Sequence, residues 1–136
     1  MEKAEFSIIN YRFEKVTIDL SKYKKDDLSL SFKTKGLFIR ENSIFELTFL
    51  VDIFNQNEKE NNFVSIQCKG DYKFENVSDI IEIPDFFYRN SIAILFPYVR
   101  SYVSLVTTQA NVPGIILPTL NLSNLEGELR KNTIEN

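Results

Sequence analysis

Ile94-Leu-Phe-Pro-Tyr-Val-Arg-Ser-Tyr-Val-Ser-Leu-Val-Thr-Thr-Gln-Ala-Asn-Val-Pro113, running directly into Gly114-Ile-Ile-Leu-Pro-Thr-Leu-Asn-Leu122, is the stretch that decides the fold. Ile92, Leu95, Phe96, Val99, Tyr102, Val103 and Val106 recur at steps of three and four. That period puts them on one face of an α-helix, and such a face must be buried. Pro97 falls inside the pattern, lacks an N–H and crowds the carbonyl of Ala93, so a kink is expected there, or a first turn that begins just before it. Asn111 tolerates the left-handed conformation that ends helices and Val112-Pro113-Gly114 cannot continue one, so the helix should stop near Ala110. Residues 115–122 carry Pro118 and little helical patterning. A mostly apolar extended segment of this kind needs a groove or a sheet edge to lie on.

Upstream of the helix the period changes from 3.6 to 2. Phe6 and Ile8, then Tyr11 and Phe13, then Val16, Ile18 and Leu20 alternate with two slips of phase, as a long bulged strand would. Residues 21–27 are a polar connection containing one aromatic, Tyr23. Residues 28–35 alternate again until Gly36 ends or bends the strand. In 44–54, Phe45, Leu47, Phe49, Val51 and Ile53 share one face. Residues 55–62 are free of apolar side chains and read as a hairpin connection, after which Val64, Ile66 and Cys68 point inward along a fourth strand. Four strands ahead of a helix predict an α+β domain over 1–136: a four-stranded antiparallel meander with a long helix and a short C-terminal helix on one face. Asp85 begins a short helix ahead of the long one. Ser123-Asn-Leu-Glu126 has the form of a capping box, Leu122, Leu125 and Leu129 make the apolar side of a two-turn helix, and 128–136 reads as a polar, frayed end.

Composition narrows the chemistry. The 136 residues include twelve Phe and six Tyr but no His and no Trp. Without His there is no imidazole base, no Ser-His or Cys-His pair and no histidine-bearing zinc site. Cys68 is the single cysteine, so no internal disulfide and no CxxC motif exist, and a reducing, cytoplasmic setting is expected. It reads as a small buried hydrophobe, placed at a subunit contact. The carboxylate pairs Asp26/Asp27 and Glu58/Glu60 lie in polar connections and read as solvated. Gly36, Gly70, Gly114 and Gly127 are isolated and form no phosphate-wrapping loop. A net charge of −3 argues against nucleic acid, and no run of apolar residues is long enough to insert in a membrane. No cofactor, metal or catalytic residue is expected. What stands out is more apolar surface than one small core can cover, which points to association with itself or with another chain.

The run Ile94-Leu-Phe-Pro-Tyr-Val-Arg100, with Leu117-Pro-Thr-Leu-Asn121 and a short terminal helix downstream, resembles the SecB family of protein-export chaperones. The likeness in plan covers nearly the whole chain, although only 94–122 is specific. It implies a four-stranded sheet with helices on one face, assembled as a dimer of dimers with the long helices between dimers, hence Phe96, Tyr98 and Tyr102 at the oligomer interface. It also implies a non-catalytic holdase whose aromatic-lined grooves bind unfolded precursor polypeptides and hand them to the export ATPase SecA. The groove would run between the crossover connection and the terminal helix, with Tyr23, Leu117, Leu120, Leu122, Leu125 and Leu129 touching the client; ordinary core packing is the competing role for Leu122 and Leu125. Of the acidic positions that meet SecA in the family, Asp19 fits one, while Lys15 and Ser65 depart from the pattern; Glu14, beside Lys15, is expected with Asp19 to dock a SecA-like partner. With few residues after Arg130, the family's polar tail is nearly lacking. Three functions follow in order: a SecB-like holdase for export, a dedicated chaperone of an antitoxin or other specific partner not coupled to SecA, and an unrelated small-molecule binder or enzyme.

Overall fold

The first strand, β1 (Glu5–Ile18), resolves the two slips of phase as two bulges, one between Ile8 and Asn10 and one between Phe13 and Lys15. Each bulge inserts a residue and returns the next apolar side chain to the same face. Phe6, Ile8, Tyr11, Phe13, Val16 and Ile18 consequently stand opposite Phe74, Tyr72, Gly70, Cys68, Ile66 and Val64 of β4 (Asn62–Glu75). The computed structural model describes residues 5–25, 28–56 and 61–136; the chain start and the carboxylates Asp26, Asp27, Glu58 and Glu60 discussed above lie outside them.

Strands β2 (Leu28–Ile39), β3 (Ile44–Asn55) and β4 pair in succession, but β1 pairs with β4 rather than with its sequence neighbour β2. The expected simple meander is therefore corrected: the order is β1-β4-β3-β2, and the chain crosses from one margin of the sheet to the other after β1. Pairing with β4 lets the bulged register of β1 set every inward residue against an inward partner, which a neighbour in sequence does not guarantee. A fifth strand, β5 (Thr133–Glu135), lies parallel to β2 at Gly36, Leu37 and Phe38, so the sheet is five-stranded and mixed. The end expected to fray is ordered because Thr133 and Ile134 favour extended backbone and β2 offers an unpaired margin. Gly36 N donates to the Asn132 carbonyl (3.2 Å) and Asn136 N to that of Phe38 (2.9 Å).

Helix α1 (Asp85–Gln109) covers one face of the sheet. It is continuous from Asp85, so the short separate helix is also corrected; Pro84 at the N-cap supplies the preset φ that starts it, and only a 3-10 turn (Ile80–Glu82) precedes it. Pro97 stands inside the helix on its exposed side, which leaves the freed carbonyl of Ala93 toward water. The helix ends at Gln109 with Asn111 at φ 67°, as expected. Under it, Phe45, Leu47, Phe49, Val51 and Ile53 are all fully buried, each contributing roughly 1.5–3 kcal/mol of burial. Phe87 centres the upper core, with ring centroids 4.6 Å from Phe74 and 4.8 Å from Phe45 and Phe6. Two glycines permit close approach. A Cβ at Gly70 would meet a Leu95 methyl at 3.2 Å, and one at Gly36 would lie 2.2 Å from the Phe45 ring.

Helix α2 (Leu122–Lys131) is capped two residues before the expected capping box. Asn121 is the cap, its Oδ1 accepting from Asn124 N at 3.2 Å. Ser123 and Glu126 are used elsewhere: both hold Arg89 of α1, at 3.0 and 3.6 Å. Asn caps as well as Ser does, so the interhelix contact settles the choice. Arg130 adds a second tie, 3.0 Å from Asp85 and 4.4 Å above the Tyr88 ring.

Candidate functional site: a cleft at the margin of the second strand

The strand β2 has one margin paired with β3 throughout, while the other is paired by β5 only at Gly36, Leu37 and Phe38. Just beyond β5, α2 takes over. Thr34 Oγ1 donates to the Leu125 carbonyl (3.2 Å) and Asn132 Nδ2 to the Thr34 carbonyl (3.4 Å). Farther toward the start of β2 no strand follows among the described residues. There a cleft of about 260 Å3 opens, lined by Phe32 of β2, by Thr119, Leu120 and Asn121, and by Asn124, Leu125 and Glu128 of α2.

The chain builds this cleft from three apolar side chains that the core does not fully absorb, Phe32, Leu120 and Leu125, with Thr119, Asn121, Asn124 and Glu128 around them. Leu28, Leu30 and Phe32 alternate inward along β2 but remain half-buried, because the sheet ends beside them. Phe32 leans on Phe49 (5.9 Å) and Phe96 (6.2 Å). Residues 111–121 have no regular structure and are pinned at three points: Val112 N donates to the Thr107 carbonyl (3.3 Å), Ile115 N to the buried Thr107 Oγ1 (3.0 Å), and Leu117 is buried in the core. Between that anchor and the Asn121 cap, Leu120 is left half-buried at the cleft.

Of the six residues expected to touch a client, Leu120 and Leu125 line the cleft. Leu117, Leu125 and Leu129 are 1%, 8% and 0% exposed, so they are core residues with at most an edge presented. Leu122 is half-buried against the core. Tyr23 lies outside the cleft lining, its ring 4.8 Å from Phe63. The turn before it is held at both ends: Asp19 accepts from Ser21 N (3.1 Å) and Ser21 Oγ (2.6 Å), and Asn55 Nδ2 donates to the Lys22 carbonyl (2.9 Å). Phe32 is the apolar lining residue that the sequence reading missed, together with the polar Thr119, Asn121, Asn124 and Glu128. Its alternation marked it as core, and the signal that it faces a margin is its place in a strand with a free side.

Neither acidic residue expected to meet SecA stands free. Glu14, at the second bulge, accepts from Arg12 (3.2 Å) and Gln67 (3.2 Å) and pairs with Lys69 (3.4 Å). Partial desolvation pushes its carboxyl up, but the hydrogen bonds from Arg12 and Lys69 outweigh it and hold the group below the usual value. The Ser21 hydroxyl, ahead of the other contacts, likewise holds Asp19 down. Ser65 Oγ donates to Asp52 (2.7 Å).

The expected interface residues divide. Tyr98 stacks on Tyr11 (4.3 Å) and Tyr102 on Phe13 (3.9 Å), forming an aromatic seam between α1 and β1, with Tyr98 and Tyr11 still about two-fifths exposed. Phe96 is half-buried between Phe32 and Phe49. Cys68 is corrected: it is fully buried within the protomer, and desolvation pushes its thiol up to about 12, so it presents no atom to a second copy. Among the described residues no His, Cys, Asp and Glu cluster could hold a metal ion, and no helix is long and apolar enough to cross a membrane.

No family model matches this sequence. An uncharacterized protein of Methanocaldococcus jannaschii is 39% identical over 75 residues, which are 54% of this chain and 47% of that protein. The chain thus spans about half the length of the curated relative it matches. The SecB-like chaperone of Mycobacterium tuberculosis, solved in complex with a peptide from the HigA1 antitoxin, superimposes at a TM-score of 0.68 with 17% identity, over 85% of this chain and 88% of that one. A protein of unknown function from Streptococcus agalactiae reaches only 0.44 at 14% identity, too loose to bear on function. The arrangement of a mixed sheet with two helices is a SecB-like α+β fold.

Proposed function

Starting from that fold, we propose that the protein is a chaperone that holds an extended segment of a partner polypeptide in the cleft along β2, and that it is dedicated to a specific partner, such as an antitoxin, rather than coupled to export. One observation carries this reading: on a SecB-like fold, the free margin of β2 opens into a cleft where Phe32, Leu120 and Leu125 stand among the polar Thr119, Asn121, Asn124 and Glu128. An extended peptide there would satisfy two needs at once, pairing its backbone with the unpaired strand and placing alternate side chains against Phe32 and Leu120. The neighbour of known structure was solved with an antitoxin peptide, which supports a polypeptide as the partner. Binding of this kind needs no chemistry from the protein, only burial and backbone pairing.

The export reading has less support. It would ask Glu14 and Asp19 to meet SecA, and both are engaged within the chain. Homo-oligomerisation, as a dimer of dimers, belongs to the same proposal. The unpaired margin of β1 and its aromatic seam offer a second copy both backbone and apolar contact.

The test is solution mass by light scattering, with the protein alone, with a reduced, unfolded test protein, and with a candidate antitoxin from the same genome. Capture of the antitoxin but not of the unfolded test protein is the expected result, together with loss of capture in the double variant Phe32→Ser, Leu120→Ser. Capture of any unfolded chain would return the reading to a general holdase. Failure to capture either, or capture untouched by the double variant, would overturn the proposed site.

A further inference from the structure

The face of the sheet turned away from α1 divides into two halves of different electrostatic character. Toward β1 the charges satisfy one another. Arg12 reaches Asp71 (2.9 Å), Glu46 (3.1 Å) and Glu14 (3.2 Å), and Lys69 reaches Glu46 (3.2 Å) and Glu14 (3.4 Å). Two cations and three carboxylates are thereby cross-linked, leaving that half without a dominant sign.

Toward β2 the pattern changes. A cleft of about 610 Å3 opens between the outward residues of β2 and β3 and the end of the chain where α2 passes into β5. Leu37 and Leu50 line it half-buried, and Ile134 borders it 66% exposed. Around this apolar floor stand Lys33, Lys35 and Lys131, all exposed, with Glu128 the one lining carboxylate that the Arg12 and Lys69 network does not engage. The alternation of Lys33, Lys35 and Leu37 along one strand is what puts ammonium groups and apolar surface side by side. On a chain of net charge −3, a local excess of cations is a deliberate contrast with the rest of the molecule.

We infer that this cleft docks a short acidic segment of a partner polypeptide that carries apolar side chains. Carboxylates meet the lysine rim while apolar side chains cover Leu37, Leu50 and Ile134, a burial that lysine stems extend. Because the chain as a whole repels anions, the local rim decides which ones are kept, so charge acts here as a selector. Three lysines are too few to track a nucleic-acid backbone against that overall charge, and phosphates would leave the apolar floor uncovered. The inference does not rest on the proposed chaperone cleft, whose Phe32 and Leu120 line a separate opening.

Fluorescence anisotropy tests it with a labelled synthetic peptide of Glu with Leu at every third position, beside a peptide with Gln in place of every Glu. The Glu peptide should bind the full chain in a salt-sensitive manner and the Gln peptide should not. The double variant Lys33→Gln, Lys35→Gln should weaken binding about fivefold to tenfold, the sum of two exposed ion pairs, and Lys33→Glu, Lys35→Glu more. Both lysines are exposed, so the variants should keep the wild-type unfolding midpoint and their capture of the chaperone partner. Equal binding of the two peptides, no binding at all, or unchanged affinity in both variants would overturn the inference. So would binding of decanoate or inorganic phosphate without the peptide, which would mark a small-anion site.

Discussion

The two margins of the sheet receive opposite treatment from one chain. At the β2 margin the last fifteen residues return: α2 lays Leu125 and Leu129 against the core, and β5 pairs with Gly36, Leu37 and Phe38. At the β1 margin twelve of the strand's fourteen residues pair with β4 and, among the described residues, none pairs on the other side, with Ile9, Tyr11 and Val16 exposed. An open strand edge invites pairing with any other chain, and proteins cover, bend or charge it. Here one margin is covered within the chain except at the Phe32 cleft. The other is only bent by two bulges and flanked by Arg12, Glu14 and Lys15. The contrast is that the β2 margin is sealed by the chain's own end except at one opening, while the β1 margin carries no further strand among the described residues.

The strongest way to break the contrast is to remove the plug of the covered margin. Leu129→Ala deletes a fully buried side chain and should cost about 2–5 kcal/mol, read as a lower denaturant midpoint. The matching change at the open margin, Tyr11→Ala, removes a two-fifths exposed ring and should cost about 1 kcal/mol or less. Equal losses would mean that α2 does not seal the β2 margin. Gly36→Ala comes next, at about 1–3 kcal/mol, since its methyl would strike the Phe45 ring and lie 2.8 Å from Thr133 Oγ1. Amide exchange should then quicken at Thr133, Ile134 and Glu135 before it does in β1.

A smaller effect sharpens how the covered margin is assembled. Asn121→Ala should cost about 1 kcal/mol as the loss of a helix cap, whereas Ser123→Ala, which removes only an exposed contact to Arg89, should cost a few tenths. The reverse order of midpoints would restore the capping box read from the sequence.

That example marks where the sequence was legible. The long helix and its stop at Asn111 follow from period and local conformation, and the two bulges follow from two slips of phase in fourteen residues. Each is a short-range pattern. The partner of β1 is not one, because β2 and β4 both alternate with an inward apolar face and only the three-dimensional register separates them. β5 escaped for the same reason: three residues between polar neighbours become a strand only because Gly36, Leu37 and Phe38 wait unpaired. At the cleft, Leu120 was readable from its place in an extended apolar segment. The period that marks Leu125 and Leu129 as apolar cannot say whether they face a client or the core. Phe32 looked like any inward strand residue, since alternation reports a face and is silent on how close the sheet's margin lies.

The smallest effect belongs to the open margin and concerns acid. Glu14 occupies the second bulge of β1, and its carboxyl is held below the ordinary 4.5 by Arg12 and Lys69 in spite of partial desolvation. A carboxyl whose folded value is depressed favours folding while it is ionised. Its contribution is complete above the unfolded value and disappears as pH falls through the folded one. Glu14→Gln should therefore lower the unfolding midpoint slightly at neutral pH, and the gap from wild type should close on going from about pH 5 to about pH 3. Asp19 is depressed as well, but it is present in both proteins and cancels in the difference. Because the ion pairs are exposed, added salt should shrink the same gap at neutral pH. A gap that persists unchanged at about pH 3, or one that salt does not touch, would mean that the bulge is held by backbone geometry alone and that the charges at the β1 margin serve only to keep other strands away.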